Sequence, residues 1–408
     1  MKNIGIKISI FLNYFVFAIL LNSVGIVIAK SINVYHVSES QASLLEAFKD
    51  LPIAIVSFLI ASFLPRFGYK KAMLGGLVLV FFGCLVMIFG NSFVYTKILF
   101  LSIGISFALI KLSVYSLIGI VTETKKEHSS LMSSIEGFFM VGIAVAYMLF
   151  PAFYSDDENS WLNVYYLLCA LILISFIFLL FSKIEYKVEA IGSSLKEDLM
   201  ESVKLMVIPL VLVFIISAFL FVMIEQGIMT WLPRFNEKIF LFSEKLSVRM
   251  AIIFALSLAL GRFVAGYLTK RMSWVYLVII CIVISGAILL IVLPQLNVDV
   301  NTLAKIESIA DVPLLGFILP LIGLFIAPIY PLLNSTVLSS LPKSLHSPMS
   351  GLIIIFSALG GTIGSRIVGE LFESIGGAKA FYFLLIPMIL LILFVILIDR
   401  MSKKQVAL

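Results

Sequence analysis

Residues that ionise stand inside the long apolar runs of this chain, and their types and spacing limit what they can do. Glu46, Lys49 and Asp50 are three and four positions apart, so a helix puts all of them on one face as acid, base and acid. Lys111 stands near the middle of a later run, Glu136 near the start of the next, and Glu225, Arg262 and Arg366 lie in three further runs. Buried carboxylates can alternate between charged and neutral forms, and a nearby lysine can pair with one acid, then with another or with a solute. Such a set suits proton transfer and the holding of a polar solute. A charge at bilayer depth costs about 2.5–3.5 kcal/mol on insertion scales, so it faces a bundle interior or a wet cavity. A chain that carries several has a polar path through its apolar body.

The alternative reading leaves Glu46, Lys49 and Asp50 in water, with a span that begins at Leu51. Only Leu51 to Leu64 would then cross, about 14 residues or 21 Å against a hydrocarbon core of about 30 Å. That is too short, so the cluster belongs to the span. Lys111 is too deep for its stem to snorkel to either interface. Arg366 and Glu370 are four apart, with the basic residue first, the less favourable order for a helix pair.

The elements that must position these residues follow from composition. Hydrophobic residues make up 62% of the 408, charged residues 13%, and mean hydropathy is +1.16. A soluble domain is usually about half apolar. The apolar runs are continuous rather than alternating, which excludes a transmembrane barrel. The net charge of +6 reflects Lys and Arg flanking membrane helices, and no nucleic-acid partner is expected. Cys84, Cys169 and Cys281 occupy separate runs, so neither a disulfide framework nor a metal site is expected. No phosphate-binding glycine loop and no nucleophile–base arrangement appears, so neither a nucleotide-driven pump nor an enzyme is expected, and no cofactor. His36, His128 and His346 read as loop residues. The first apolar run follows Lys2 and Lys7 and has no small-residue cleavage site, so it reads as a retained span.

About twelve spans emerge, near residues 8–29, 43–64, 72–90, 97–121, 130–153, 162–181, 206–232, 249–270, 274–293, 313–339, 347–371 and 380–399. With the N-terminus in the cytoplasm, that side holds about two basic residues for each one opposite, which places both termini there. The charged, amphipathic stretch 182–205 divides an N-terminal six-helix half, 1–181, from a C-terminal one, 206–408. Basic turns stand at equivalent places in the two halves, Arg66-Phe67-Gly68-Tyr69-Lys70-Lys71 and Gly266-Tyr267-Leu268-Thr269-Lys270-Arg271. This is the parallel-repeat logic of one large transporter class. The fold class is an all-α membrane protein of about twelve transmembrane helices in two six-helix halves.

This organisation resembles the major facilitator superfamily. The stretch Ala61 to Lys70 keeps Arg66, Gly68 and Lys70 of that family's basic loop, with Pro65 where an Asp usually stands. C-half stretches are similar to the fucose permease branch. They are Glu225-Gln226-Gly227 with Thr230-Trp231-Leu232-Pro233, Gly261-Arg262-Phe263 before Gly266, Gly323-Leu324-Phe325 before Pro328-Ile329-Tyr330-Pro331, and Gly360, Gly361, Gly364 and Gly369. That branch carries an acid in the middle of span four, where this chain has Lys111.

The resemblance implies a secondary transporter of a bacterial inner membrane, monomeric, with partners limited to a small-molecule solute, protons and the lipid bilayer. Its solute is expected to be a sugar, an organic acid or a zwitterion; the alternative is proton-driven export of amphipathic compounds. Glu46, Lys49, Asp50, Lys111 and Glu136 are the expected coupling network. Asn13, Asn22, Lys111, Tyr115, Glu225, Gln226 and Asn334 are the expected solute contacts, although each Asn could equally bond helix backbone. Arg66, Gly68, Lys70, Arg262, Lys270 and Arg271 are the expected gate. Spans three, six, nine and twelve hold no interior charge. In the resembled fold those four form the lipid-facing ring. Lys111 is expected within salt-bridge or single-water reach of Asp50, Glu46 or Glu136 in at least one transport state, and a bend is expected at Trp231-Leu232-Pro233.

Overall fold

The structure, a computed structural model, describes residues 4–60, 64–122, 124–182, 204–269, 271–296, 305–340 and 346–406. It is helical throughout; among the described residues the only β-type pairing is a single bridge between Phe242 and Ile306. Among the described residues, eleven helices are long and apolar enough to cross a membrane. In chain order, with the shorter Leu44–Ile60 in second place, they are α1 (Gly5–Tyr35), α2 (Leu44–Ile60), α3 (Tyr69–Phe89), α4 (Phe93–Val121), α5 (Lys125–Ala152) and α6 (Ser160–Phe181). The second set is α7 (Pro209–Lys238), α8 (Glu244–Leu268), α9 (Trp274–Leu296), α10 (Leu314–Leu338), α11 (His346–Ile375) and α12 (Gly377–Lys403). This is the expected all-α membrane fold.

Contacts divide the chain into two compact units, Met1–His36 with Leu45–Glu197 and Val37–Leu44 with Asp198–Leu408. In the N-terminal unit α1 packs on α5 and α6, and α3 on α4 and α6. In the C-terminal unit α7 packs on α11, α12 and α8, and α9 on α10 and α12. Residues 183–203, nearly all of the stretch expected as a linker, lie outside the described residues.

Three expectations about the helices need correcting. Helix α1 runs on to Tyr35, past the expected end at Ala29, and so carries Lys30 within it, 8% exposed, with Nζ 4.3 Å from the Tyr154 ring centre. Helix α7 continues through Pro233 to Lys238, past the expected end of the span at residue 232. Proline removes one backbone donor, but the turn around it is fixed by Trp231, Arg234 and Glu237, all buried against neighbours. His128 lies inside α5 and His346 begins α11, so neither is in a loop.

The helices without interior charge present rows of large exposed apolar residues, as a lipid-facing surface requires. They include Phe82 and Phe89 on α3, Phe178 and Phe181 on α6, Tyr276 and Ile291 on α9, and Ile389 and Leu393 on α12. Helix α8, which carries Arg262, has such a row as well, with Leu260 and Phe263. Helix α10 is interrupted by a 3-10 turn at Leu319–Leu321 and again before Ile329, next to Pro320 and Pro328. Each proline withholds a donor from the ladder there.

Candidate functional site

The N-terminal unit gathers its ionisable residues into two centres. The first lies in the opening turns of α2. Because the helix starts at Leu44, Glu46, Lys49 and Asp50 all stand within it, 0%, 4% and 9% exposed. Lys49 Nζ lies 2.5 Å from Glu46 Oε1 and 3.5 Å from Asp50 Oδ1. One cation therefore serves two buried acids. Glu46 also sits in the first helical turn, where the exposed N–H groups favour a negative charge. Gly104 of α4 lets this turn pack closely: a Cβ on it would stand 2.3 Å from the carbonyl oxygen of Lys49.

The second centre lies between α1, α4 and α5. Lys111 is held by aromatic rings, its Nζ 5.8 Å from the centres of both Phe107 and Tyr115. Tyr115 donates its hydroxyl to Glu136 Oε1 at 2.9 Å. Tyr14, 1% exposed, packs against Phe107, Tyr115 and Phe139. The face of α4 that carries Lys111 is thus turned toward α1 and α5. Among the described residues Lys111 makes no ion pair; Tyr115 links its surroundings to Glu136. Of the three acids expected near Lys111, Glu136 is the one bonded to its neighbour Tyr115, while Glu46 and Asp50 face Lys49.

In the C-terminal unit, α7, α8, α10 and α11 bring their polar residues together. Glu225 Oε1 lies 4.0 Å from Arg262 Nη2. Tyr330 stacks on Phe221, with centroids 5.4 Å apart at 23°, and its hydroxyl meets Ser357 Oγ at 3.1 Å. The Asn334 Oδ1 is buried with no hydrogen-bond donor among the described residues. Gln226 accepts a bond from Thr230 Oγ1 at 3.4 Å.

The remaining predicted residues fall elsewhere. Asn13 and Asn22 turn their amides onto their own helix, donating to the Ser9 and Ala18 carbonyls at 2.7 and 2.8 Å. Lys70, expected in a gate, donates to the carbonyls of Leu180 at 2.8 Å and Ser182 at 2.7 Å, and so closes the C-terminal end of α6. Gly68 turns the chain into α3 with φ +96°, a conformation that disfavours any side chain. Arg66 is exposed, and Arg271 lies 4.7 Å over the Tyr267 ring. Lys270 lies outside the described residues.

The family model described as Major Facilitator Superfamily matches residues 8–365. The chain belongs to the Major Facilitator Superfamily. No curated protein matches it. Solved structures that share this superfamily fold include a bacterial homologue of the human lysosomal transporter Spinster, in an inward-facing, unoccupied conformation. The two are 14% identical with a TM-score of 0.76, over 98% of this chain and 97% of that one. The Escherichia coli fucose:proton symporter FucP matches at 14% identity and a TM-score of 0.65, over 98% of this chain and 99% of that one.

Within this superfamily fold, sequence reasoning passed over Tyr14, Phe221 and Ser357, which read as ordinary span residues. The expected end of span seven at residue 232 also left Arg234 outside the helix. A signal existed for Arg234: Glu237 follows three positions later, the spacing of a helical ion pair.

Proposed function

We propose that the chain is a proton-coupled secondary transporter that carries a small polar solute across the inner membrane by alternating access. The N-terminal half, 1–181, and the C-terminal half, 206–408, are the moving bodies, both termini are cytoplasmic, and the working unit is a monomer. The observation that carries this reading is the buried triad of α2. With all three groups ionised it holds one net negative charge, and Lys49 can fully compensate only one acid. Adding a proton to the other makes the triad neutral, so protonation switches the electrostatics of a desolvated site. Asp50, the acid farther from Lys49, is the candidate carrier, and Glu136 beside Lys111 is the second.

The candidate solute contacts are Lys111 and Tyr115 in the N-terminal unit, and Glu225, Gln226 and Asn334 in the C-terminal unit. These cationic, anionic and amide groups suit a sugar, an organic acid or a zwitterion. Export of amphipathic compounds is the second reading, and the Phe221–Tyr330 stack supports it. Proteoliposomes with an imposed pH gradient, offered labelled sugars, organic acids and amphipathic dyes, decide between the two. Asp50→Asn is expected to abolish accumulation of the solute the parent concentrates, while counterflow persists, because exchange does not need the empty carrier to release a proton. Accumulation at the parent level by both Asp50→Asn and Glu136→Gln overturns the coupling assignment.

A further inference from the structure

The segment between α1 and α2 does not stay with the helices it connects. Val37–Leu44 belongs to the C-terminal unit, although His36 before it and Leu45 after it belong to the other. Ser38 begins a one-turn helix, Glu39–Ala42, closed by a reciprocal capping box with Gln41. Glu39 reaches Arg234 of α7, with Oε1 2.8 Å from Nη2, and Arg234 in turn holds Glu237 at 3.2 Å. Arg234 is 4% exposed, so this pair is shielded from water. The Ser40 amide donates to Glu373 Oε2 at 3.0 Å, and Arg366 donates to the Ser40 carbonyl. Gly369 of α11 provides the notch: a Cβ there would stand 3.1 Å from the Glu39 carbonyl. Ala42 and Ser43 are buried beneath.

We propose that Val37–Leu44 is a latch, which must let go of α7 and α11 once in every transport cycle. The argument is one of reach. The latch joins the N-terminal unit directly at Val37 and at Leu44, with no spare residues on either side. A residue spans at most ~3.6 Å, so these joints absorb only a few ångströms of displacement. Any larger movement of one half against the other must pull the segment off its contacts. The buried Glu39–Arg234 pair, the Arg366 bond and the Glu373 bond then set how readily this end opens. Arg234 keeps Glu237 when Glu39 is neutralised, so the latch can be weakened without stranding a buried cation. The inference rests on the reading above that the halves move, but its first test does not require transport.

That test is a thiol-accessibility measurement. Ser43 is 1% exposed and its replacement by cysteine is nearly isosteric, while Cys84, Cys169 and Cys281 are buried and give little background. In nanodiscs, which expose both faces, a charged maleimide is expected to label S43C slowly. Adding Glu39→Gln or Arg366→Gln is expected to raise the rate about tenfold. Equal rates in all three proteins, or rapid labelling of S43C alone, overturn the latch. A second test pins it. S40C with E373C, joined by a short bifunctional maleimide, is expected to lose counterflow, while each single-cysteine protein treated alike keeps it. Parent-level counterflow by the joined protein overturns the proposal. If the parent moves none of the offered solutes, the transport reading fails on that result and the labelling rates still decide the latch.

Discussion

Lys49 is a single cation buried between two acids, and its removal takes away the cation that both of them face. Lys49→Met is expected to destabilise the protein by about 3–5 kcal/mol, read as a large drop in thermal midpoint in detergent. The triple replacement Lys49→Met, Glu46→Gln, Asp50→Asn is expected to recover most of that loss and still fail to accumulate solute. Lys111 makes a different prediction, because its ammonium faces rings and Glu136 rather than the α2 acids. A double-mutant cycle on counterflow is expected to show coupling between Lys111→Met and Glu136→Gln, and additivity between Lys111→Met and Asp50→Asn. The triad was legible in the sequence, since spacing alone puts three ionisable groups on one helical face. The surroundings of Lys111 were not, because Tyr14 and Phe139 arrive from other helices and leave no periodic mark. The amides of Asn13 and Asn22 were legible only as polar atoms; each NH2 group donates to the carbonyl four residues back in its own helix, while the buried Asn13 Oδ1 has no donor among the described residues.

Two glycines of α4 test the helix packing. Gly104→Ala would press a methyl against the Lys49 carbonyl at 2.3 Å, whereas Gly119→Ala meets nothing within 4 Å. The first is expected to cost about 2 kcal/mol and the second to be neutral or stabilising by up to about 1 kcal/mol, measured as shifts in thermal midpoint. Lys70 tests the joint between α3 and α6. Lys70→Met loses two carbonyl contacts and is expected to cost about 1–2 kcal/mol, while Arg66→Ala leaves the midpoint unchanged. The helices themselves were legible wherever apolar runs ended in polar residues. Their ends were misread at Lys30, Arg234 and Glu237, where a charge marks burial against a neighbour instead of the start of water. Hydropathy cannot tell an ion paired inside the protein from one in solvent, since both lower the local average equally.

At the scale of the molecule, twelve helices in two six-helix sets were legible, because each run is close to bilayer length and the basic turn recurs in each set. The assignment of Val37–Leu44 to the second unit was not, because it depends on Arg234, Arg366 and Glu373, which lie far along the chain. The Gly369 notch that seats this segment also seats an indole. Trp231 donates Nε1–H to the carbonyl and hydroxyl of Ser365 at 3.0 and 3.1 Å, and stacks on Phe372 with centroids 5.6 Å apart. A Cβ on Gly369 would stand 2.6 Å from the Trp231 ring and 3.1 Å from the Glu39 carbonyl. The chain has three tryptophans, and Trp161 and Trp274 lie in other places. The protein therefore contains its own fluorophore beside the segment. With Trp161→Phe and Trp274→Phe, the remaining emission is expected to shift to longer wavelength in the Glu39→Gln background, as water reaches the notch. Stopped-flow emission from that one indole would then time the release directly, with no attached dye.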